Sequence, residues 1–124
     1  DFGESILTET GIHFKASGMN AAFQNILLPM NKRRAVLQIF KEAINNCAKH
    51  AAASEVTLRA TVNNNIVEIV LEDNGKGFDT KEERNRSKYG LNIMHERAKK
   101  NNSELEIFSK KNKGTTIILK FQIP

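Results

Sequence analysis

The chain has 124 residues, of which 40% are hydrophobic, enough for one packed core and for one ordinary domain spanning residues 1–124. No apolar run approaches the ~20 residues of a membrane span, and the start, Asp1-Phe2-Gly3-Glu4-Ser5, has neither the basic flank nor the apolar stretch of a signal peptide. A net charge of +5 favours anionic partners such as a nucleotide, a nucleic acid or a phosphoprotein, and the single cysteine, Cys47, excludes an internal disulfide and fits a reducing cytoplasm. An opening without Met reads as a piece of a longer chain.

Residues Ile12 to Ser17 predict a short strand. Pro29 ends an extended stretch, and Asn31 is the expected N-cap of the helix that follows. From Lys32 to about Ala51, apolar residues Val36, Ile39, Phe40, Ala43, Ile44 and Cys47 recur at helical spacing. Glu55–Val62 and Ile66–Leu71 are β-branched-rich runs joined by Asn63-Asn64-Asn65, which reads as an antiparallel hairpin because Asn tolerates a left-handed turn. Asp73–Phe78 is a glycine-containing turn. Asp79–Tyr89 is highly charged with almost no apolar residues, and predicts a mobile loop. Gly90 to about Asn101 predicts a second amphipathic helix through Leu91, Ile93, Met94 and Ala98, with Asn101 and Asn102 as its left-handed C-cap. Leu105–Phe108 and Thr115–Ile123 close the chain as a hairpin across Lys110–Gly114. The expected class is α+β: a two-layer α/β sandwich whose mixed, mainly antiparallel sheet is covered by helices on one face.

Four constellations carry candidate chemistry. On the first helix, with Glu42 at zero, Asn46 lies near +40°, Lys49 near −20° and His50 near +80° at about 100° per residue. These polar groups border the apolar stripe, while Lys41 and Asn45 point further out. Amide and carboxylate oxygens suit magnesium, and Lys49 suits phosphate oxygens. The plainer reading is a solvated helix face. Next comes Asp73-Asn74-Gly75-Lys76-Gly77-Phe78, where two glycines allow close backbone approach and an Asp at a strand end can accept from a ligand amine. An ordinary Asp-Asn-Gly turn reads the same way, and no Walker-type phosphate loop exists anywhere in the chain. Third, Lys88-Tyr89-Gly90-Leu91 opens a helix, whose free N–H groups attract phosphate. Last, Gly114-Thr115-Thr116 starts the final strand and is weak taken alone. His13, His50 and His95 are too widely spaced for zinc, and no nucleophilic triad follows from any spacing. The basic runs Lys32-Arg33-Arg34, Lys99-Lys100 and Lys110-Lys111 read as solvated helix ends and turns. Base stacking on nucleic acid would have to rest on Phe, with one Tyr and no Trp.

In order and spacing, the four constellations resemble the boxes of the GHKL ATPase family (Bergerat fold), shared by sensor histidine kinases, type II topoisomerases, Hsp90 chaperones and mismatch-repair proteins. Glu42–Ala51 resembles the N box, Asp73–Phe78 the G1 box, and Gly90–Ala98 the short G2 box of one subgroup of histidine kinases. Gly114-Thr115-Thr116 resembles the last motif. The resemblance covers about Arg34–Pro124 and implies ATP and Mg²⁺ as ligands. It implies that Asp73 accepts the adenine amine with support from Thr115, that Asn46 ligates Mg²⁺ and that Lys49 contacts phosphate. Gly75, Gly77, Gly90 and Leu91 then shape the backbone around the nucleotide, Asp79–Tyr89 forms a lid, and Glu42 is the acidic catalytic position. The family usually has a second glycine where Lys88 stands, and the charge of Lys88 is the expected substitute. Asn102 and Ser103 stand where the subgroup often has glycines.

The implied function is the ATP-binding catalytic domain of a two-component sensor histidine kinase, donating the γ-phosphate to a histidine on a separate dimerisation domain. The implied partners are the phosphoacceptor helices of a homodimeric parent kinase and a downstream response regulator, with no direct nucleic-acid contact. The domain is expected in the cytoplasm, under a parent receptor that can lie in the inner membrane. The alternatives are an anti-sigma-type serine kinase, which shares the nucleotide fold, and a non-catalytic nucleotide sensor.

Overall fold

The computed structural model describes residues 13–17, 30–49 and 53–123. Among the described residues, five strands and three helices follow one another as β1 (His13–Ser17), α1 (Met30–Lys49), β2 (Glu55–Asn63), β3 (Ile66–Asp73), α2 (Glu83–Lys88), α3 (Leu91–Lys100), β4 (Glu104–Ser109) and β5 (Thr115–Gln122). They form one sheet in the order β1-β2-β3-β5-β4. β1 runs parallel to β2, and every other pairing is antiparallel. The expected mixed, mainly antiparallel sheet is therefore present.

Alternation sets the two faces of the sheet. Val56 and Ala60 on β2, Val67, Ile69 and Leu71 on β3, and Ile117, Leu119 and Phe121 on β5 are buried together with Ile39, Phe40, Ala43, Ile44 and Cys47 of α1 and Leu91, Met94 and Ala98 of α3. Met94, Val56, Val67 and Leu119 are wholly buried, so both helices close on the same side of the sheet. The opposite side carries charge: Glu68 faces Lys120 across the β3–β5 ladder with an ion pair of 3.4 Å, and Arg59 pairs with Glu72. An alternating strand with one wet face yields this distribution.

The turns follow residue chemistry. Asn64 and Asn65 both take positive φ, 52° and 66°, and close the β2–β3 hairpin with a two-residue loop. At the end of α3, Asn102 has φ 54°, its N–H reaches Lys99 O at 3.2 Å, and the Ser103 N–H reaches Ala98 O at 2.8 Å. That pair of bonds is a Schellman cap, with Asn in the place glycine usually holds.

Four expectations are corrected. Asp79–Tyr89 is not wholly loop, because α2 occupies Glu83–Lys88. Asn85 is buried there, and its Nδ2 donates to Asp79 O at 2.9 Å and Glu82 Oε2 at 3.1 Å. Side-chain-to-backbone bonds, not apolar periodicity, hold this turn. Asn31 is not an N-cap: the helix already includes Met30, and Asn31 Oδ1 accepts the N–H of Lys32 from within the first turn. Asn45 is half-buried rather than fully solvated. Nor is Lys32 simply part of a solvated basic run. Its Nζ donates to Asn101 O and to Ser103 Oγ at 3.3 Å and lies 5.2 Å from the centre of the Phe121 ring. It thus ties the start of α1 to the end of α3, and partial burial lowers its pKa. Ile12, Pro29, His50 and Ala51 lie outside the described residues. No described helix is long and apolar enough to cross a membrane.

Candidate functional site

Asp73 is the last residue of β3, on the face that meets α1. Its neighbours across the sheet are Val56 on β2 and Thr115 on β5. Gly75 N–H donates to its Oδ1 at 2.8 Å, and the Cys47 thiol of α1 donates to its Oδ2 at 3.4 Å. Burial holds the Asp73 carboxyl above the usual carboxylate range, while the N–H of Gly75, the thiol of Cys47 and the Thr115 backbone pull against it. Cys47 itself is buried, and desolvation first and the adjacent carboxylate second push its thiol well above the ordinary range. The thiol is therefore a neutral donor, inert as a nucleophile.

The turn after Asp73 is held at both ends. Asn74 Oδ1 accepts the N–H groups of Ser54 and Glu55, and its Nδ2 donates to Ser54 Oγ, so the turn is stitched to the start of β2. On the other side, the Asn112 N–H bonds to Lys76 O, and the Phe78 N–H donates to Ser109 Oγ at 2.8 Å. Ser109 Oγ also shares a hydrogen bond of 2.8 Å with Thr115 Oγ1. Gly77 has φ 65°, and a Cβ there would come within 1.9 Å of Lys110 O. Only glycine lets this turn lie directly against the β4–β5 turn.

Around Asp73 is a small, partly open cavity of about 20 Å³ lined by Ala43, Asn46, Asp73, Gly77, Phe78, Tyr89, Leu91, Thr115 and Ile117. Two of these lining residues, Phe78 and Tyr89, stack on each other, with ring centroids 4.2 Å apart and planes 13° apart. Asn46 Nδ2 donates to Tyr89 O at 2.7 Å, which leaves the amide oxygen as an available ligand atom. Gly90 caps α3 in the left-handed conformation, φ 66°, and a Cβ there would lie 2.6 Å from Glu42 Oε1. The carboxylate of Glu42 thus rests against the Gly90 backbone, one helical turn before Asn46.

Of the residues singled out from sequence, Asn46, Asp73, Gly77, Leu91 and Thr115 meet at one cavity, and Glu42 and Gly90 meet beside it. The Gly75 N–H is taken by Asp73, the Gly90 N–H is not free but bonds to Ser87 O at 3.2 Å, and Lys49 is exposed at the last turn of α1, away from the cavity lining. Lys88 is exposed, with its Nζ 5.5 Å from the centre of the Tyr89 ring. The roles of Cys47, Phe78, Tyr89 and Ser109 were not read from sequence. Phe78 and Tyr89 flank the glycine motifs, but that they stack appears only when β3 and α3 are brought together. A wider groove of about 640 Å³ lies across α3, among Thr80, Arg86, Asn92, His95 and Lys99, and shares only Leu91 with the cavity. Desolvation and the nearby Arg86 lower the His95 pKa.

No group of three or more acidic, His or Cys side chains able to hold a metal occurs among the described residues. With the Asp73 carboxylate already accepting from the Gly75 N–H and the Cys47 thiol, the other carboxylate and amide oxygens at the site are those of Glu42 and Asn46. That set fits Mg²⁺, which keeps several waters and binds through one or two protein oxygens plus phosphate.

The described chain is a mixed sheet with helices on one face and a half-buried acid at a strand end that shares a cavity with a helix-borne amide. Residues 31–124 match the family of histidine kinase-, DNA gyrase B- and HSP90-like ATPases, and the chain belongs to that family. It is 36% identical over 112 residues to the signal transduction histidine-protein kinase/phosphatase DegS of Brevibacillus brevis, covering 90% of this chain and 28% of that protein. It is 38% identical over 88 residues to the sensor histidine kinase LiaS of Bacillus subtilis, covering 71% of this chain and 24% of that one. The chain therefore spans about a quarter of the length of these relatives. Among solved structures, the histidine kinase domain of the Erythrobacter litoralis EL346 blue-light activated histidine kinase superposes with a TM-score of 0.78 at 17% identity, over 98% of this chain and 57% of that one. That likeness establishes the shared fold.

Proposed function

We propose that this chain is the ATP-binding catalytic domain of a sensor histidine kinase and donates the γ-phosphate of ATP to a histidine on a separate dimerisation domain. The observation that carries the reading is Asp73: a half-buried carboxylate at a strand end, with Thr115 beside it and an amide from the facing helix on the same cavity. In this reading Asp73 accepts from the adenine amine and Thr115 supports it. Asn46, with its Nδ2 held by Tyr89 O, presents Oδ1 to Mg²⁺, which when bound neutralises phosphate charge. Lys49 and Lys88 supply cationic charge to the phosphates. Gly75, Gly77, Gly90 and Leu91 shape the pocket, and Glu42 is the acidic catalytic position beside Gly90. The partners are the acceptor helices of a dimeric parent and a response regulator, and the domain works in the cytoplasm. Similarity to two named histidine kinases at 36% and 38% identity favours this over a serine kinase with the same nucleotide fold.

The test is calorimetry with ATP and ADP, with and without Mg²⁺. Binding of both nucleotides, tightened by Mg²⁺ for ATP, is the expected result. No heat at millimolar nucleotide would end the reading. Affinity is expected to be modest, because ordering Asp79–Tyr89 on the ligand costs free energy.

A further inference from the structure

Two lysine-bearing turns are pinned together at one end of the sheet. Lys76 lies in the turn after β3, and Lys110, Lys111 and Lys113 lie in the turn between β4 and β5. The Asn112 N–H bonds to Lys76 O, and the Lys113 N–H closes the second turn on Lys110 O at 3.0 Å. Gly77 packs so tightly on Lys110 O, and Gly114 on Asp73 O, that neither position has room for a Cβ. All four lysine side chains are exposed, and none is in an ion pair with another described residue. Beside them, at the end of β4, Phe108 pairs with Thr116 on the sheet face opposite the helices and is 54% exposed. Acids nearby are partly engaged. Glu72 on that face is paired with Arg59, and Asp79 Oδ1 accepts the Lys81 N–H, while Glu106 stands two residues further along β4.

We propose that Lys76, Lys110, Lys111, Lys113 and Phe108 form a docking surface for an anionic lipid bilayer, with the ammonium groups over the headgroups and the Phe108 ring in the interface. The shape and chemistry of the patch select this occupant. The lysines stand on protruding turns, and none of the five residues lines the Asp73 cavity or the groove across α3. The patch contains lysine and no arginine, so it offers mobile point charges without the planar fork that reads a carboxylate or a phosphate bidentately. A bound peptide or nucleic-acid strand is held by directed donors, a groove or stacked rings. A charged bilayer asks only for positive charge at its surface and an apolar side chain that enters the interface. Each lysine near such a surface is worth about fivefold in partition, so four together bring weak intrinsic contact into a measurable range. Because Gly114 abuts the Asp73 backbone and Gly77 the Lys110 backbone, a surface held by these turns also fixes the orientation of the cavity toward it. The inference does not depend on nucleotide binding.

The test is co-sedimentation of the chain with vesicles of phosphatidylcholine alone and with vesicles in which about a third of the lipid is phosphatidylglycerol. Binding is expected on the anionic vesicles only, and is expected to fall steeply as salt rises from about 0.1 M to about 0.5 M. The double variant Lys110→Gln, Lys111→Gln is expected to bind about 25-fold more weakly, and so is Lys76→Gln, Lys113→Gln, because the two turns present one patch. Phe108→Ser is expected to lose about fivefold. Lys99→Gln, Lys100→Gln removes the same charge from exposed positions on α3 and is expected to bind nearly as the unaltered chain does. Equal loss in that control would overturn the proposal, since binding would then follow net charge and not this patch. Tighter capture by a polyglutamate peptide or an RNA oligonucleotide than by the anionic vesicles would overturn the bilayer as occupant. Absence of binding to the anionic vesicles at low salt would overturn it outright. The substituted side chains are exposed and the turn backbone is retained, and ADP calorimetry on each variant, expected unchanged, separates a failed surface from a failed fold.

Discussion

The Asp73 carboxyl is half-buried beside the Gly75 N–H, the Cys47 thiol and the Thr115 backbone, and the effect of burial on its titration outweighs theirs. Raised above 3.8, the group binds its proton more readily in the folded chain than in the unfolded one. The stabilising contribution is thus complete below 3.8 and is lost as pH rises through the folded value. On the proposed role of Asp73, nucleotide binding is expected to need the ionised acceptor and to move in the opposite direction over the same window. We expect Asp73→Asn to weaken ATP by roughly 1.5–3 kcal/mol, about one to two decades, with a smaller loss for GTP. Equal losses would argue against contact with the adenine amine. Relative to the variant, the unaltered chain should lose urea resistance as pH climbs from 3.8, and a flat difference would contradict the burial argument. The glycines separate two kinds of crowding. A Cβ at Gly90 meets the end of the flexible Glu42 side chain, whereas one at Gly77 meets the Lys110 backbone. Gly90→Ala is therefore expected to cost about 1–2 kcal/mol, the left-handed penalty alone, and Gly77→Ala distinctly more. Denaturant midpoints read this directly, and the reverse order would refute it. In the sequence, the two glycines look alike, since the atom each would strike belongs to a distant part of the chain.

At the scale of elements, legibility followed the source of stability. α1, α3 and the two hairpins could be read because apolar period and Asn turns encode them locally: Phe40, Ala43, Ile44 and Cys47 are buried as their spacing predicts, and Asn64, Asn65 and Asn102 take positive φ. α2 could not, because its six residues, Glu83–Lys88, contain no apolar side chain and only Asn85 is buried. A helix that short is not stable by itself. It persists through the bonds of Asn85 Nδ2 to Asp79 O and Glu82 Oε2. Asn85→Ala removes both, at about 1 kcal/mol net, which is roughly a fivefold rise in the opened population of this segment. Limited trypsin digestion measures it, since Lys81, Arg84, Arg86 and Lys88 all lie exposed between Asp79 and Tyr89. Cleavage there should accelerate about fivefold while the global denaturation midpoint changes little. An unchanged cleavage rate would mean that Asn85 does not hold the helix. Lys32 departs from its local pattern for the complementary reason: a basic run at a helix start reads as solvated, but α3 brings the Asn101 carbonyl against its ammonium.

Over the whole molecule, strand order is the part that local pattern withheld. That β5 inserts between β3 and β4, and that β1 joins the far edge in parallel, depends on pairings remote in sequence. This order also makes the candidate site, because it sets Thr115 opposite Asp73 and brings Ser109 under Phe78. It bears equally on what the chain can do alone. His95, the one histidine whose side chain is described, lines the groove across α3 and not the cavity. The His13 backbone is fixed in the edge strand β1, and His50 directly follows α1. A histidine carried on the nucleotide-binding scaffold itself cannot swing in line with the γ-phosphate, and phosphoryl transfer depends on that alignment. We therefore expect this chain to bind ATP without labelling itself on histidine, and to phosphorylate an added helical segment carrying the acceptor. The measurement is incubation with labelled ATP and Mg²⁺, alone and with the upstream helices of the parent kinase. Acid-labile label on the chain alone would refute the first half. Transfer to the added helices that survives Asn46→Ala would refute the second, because a transfer routed through this cavity should fall by at least tenfold when the amide beside Tyr89 is lost while the core around Met94 and Leu119 is untouched.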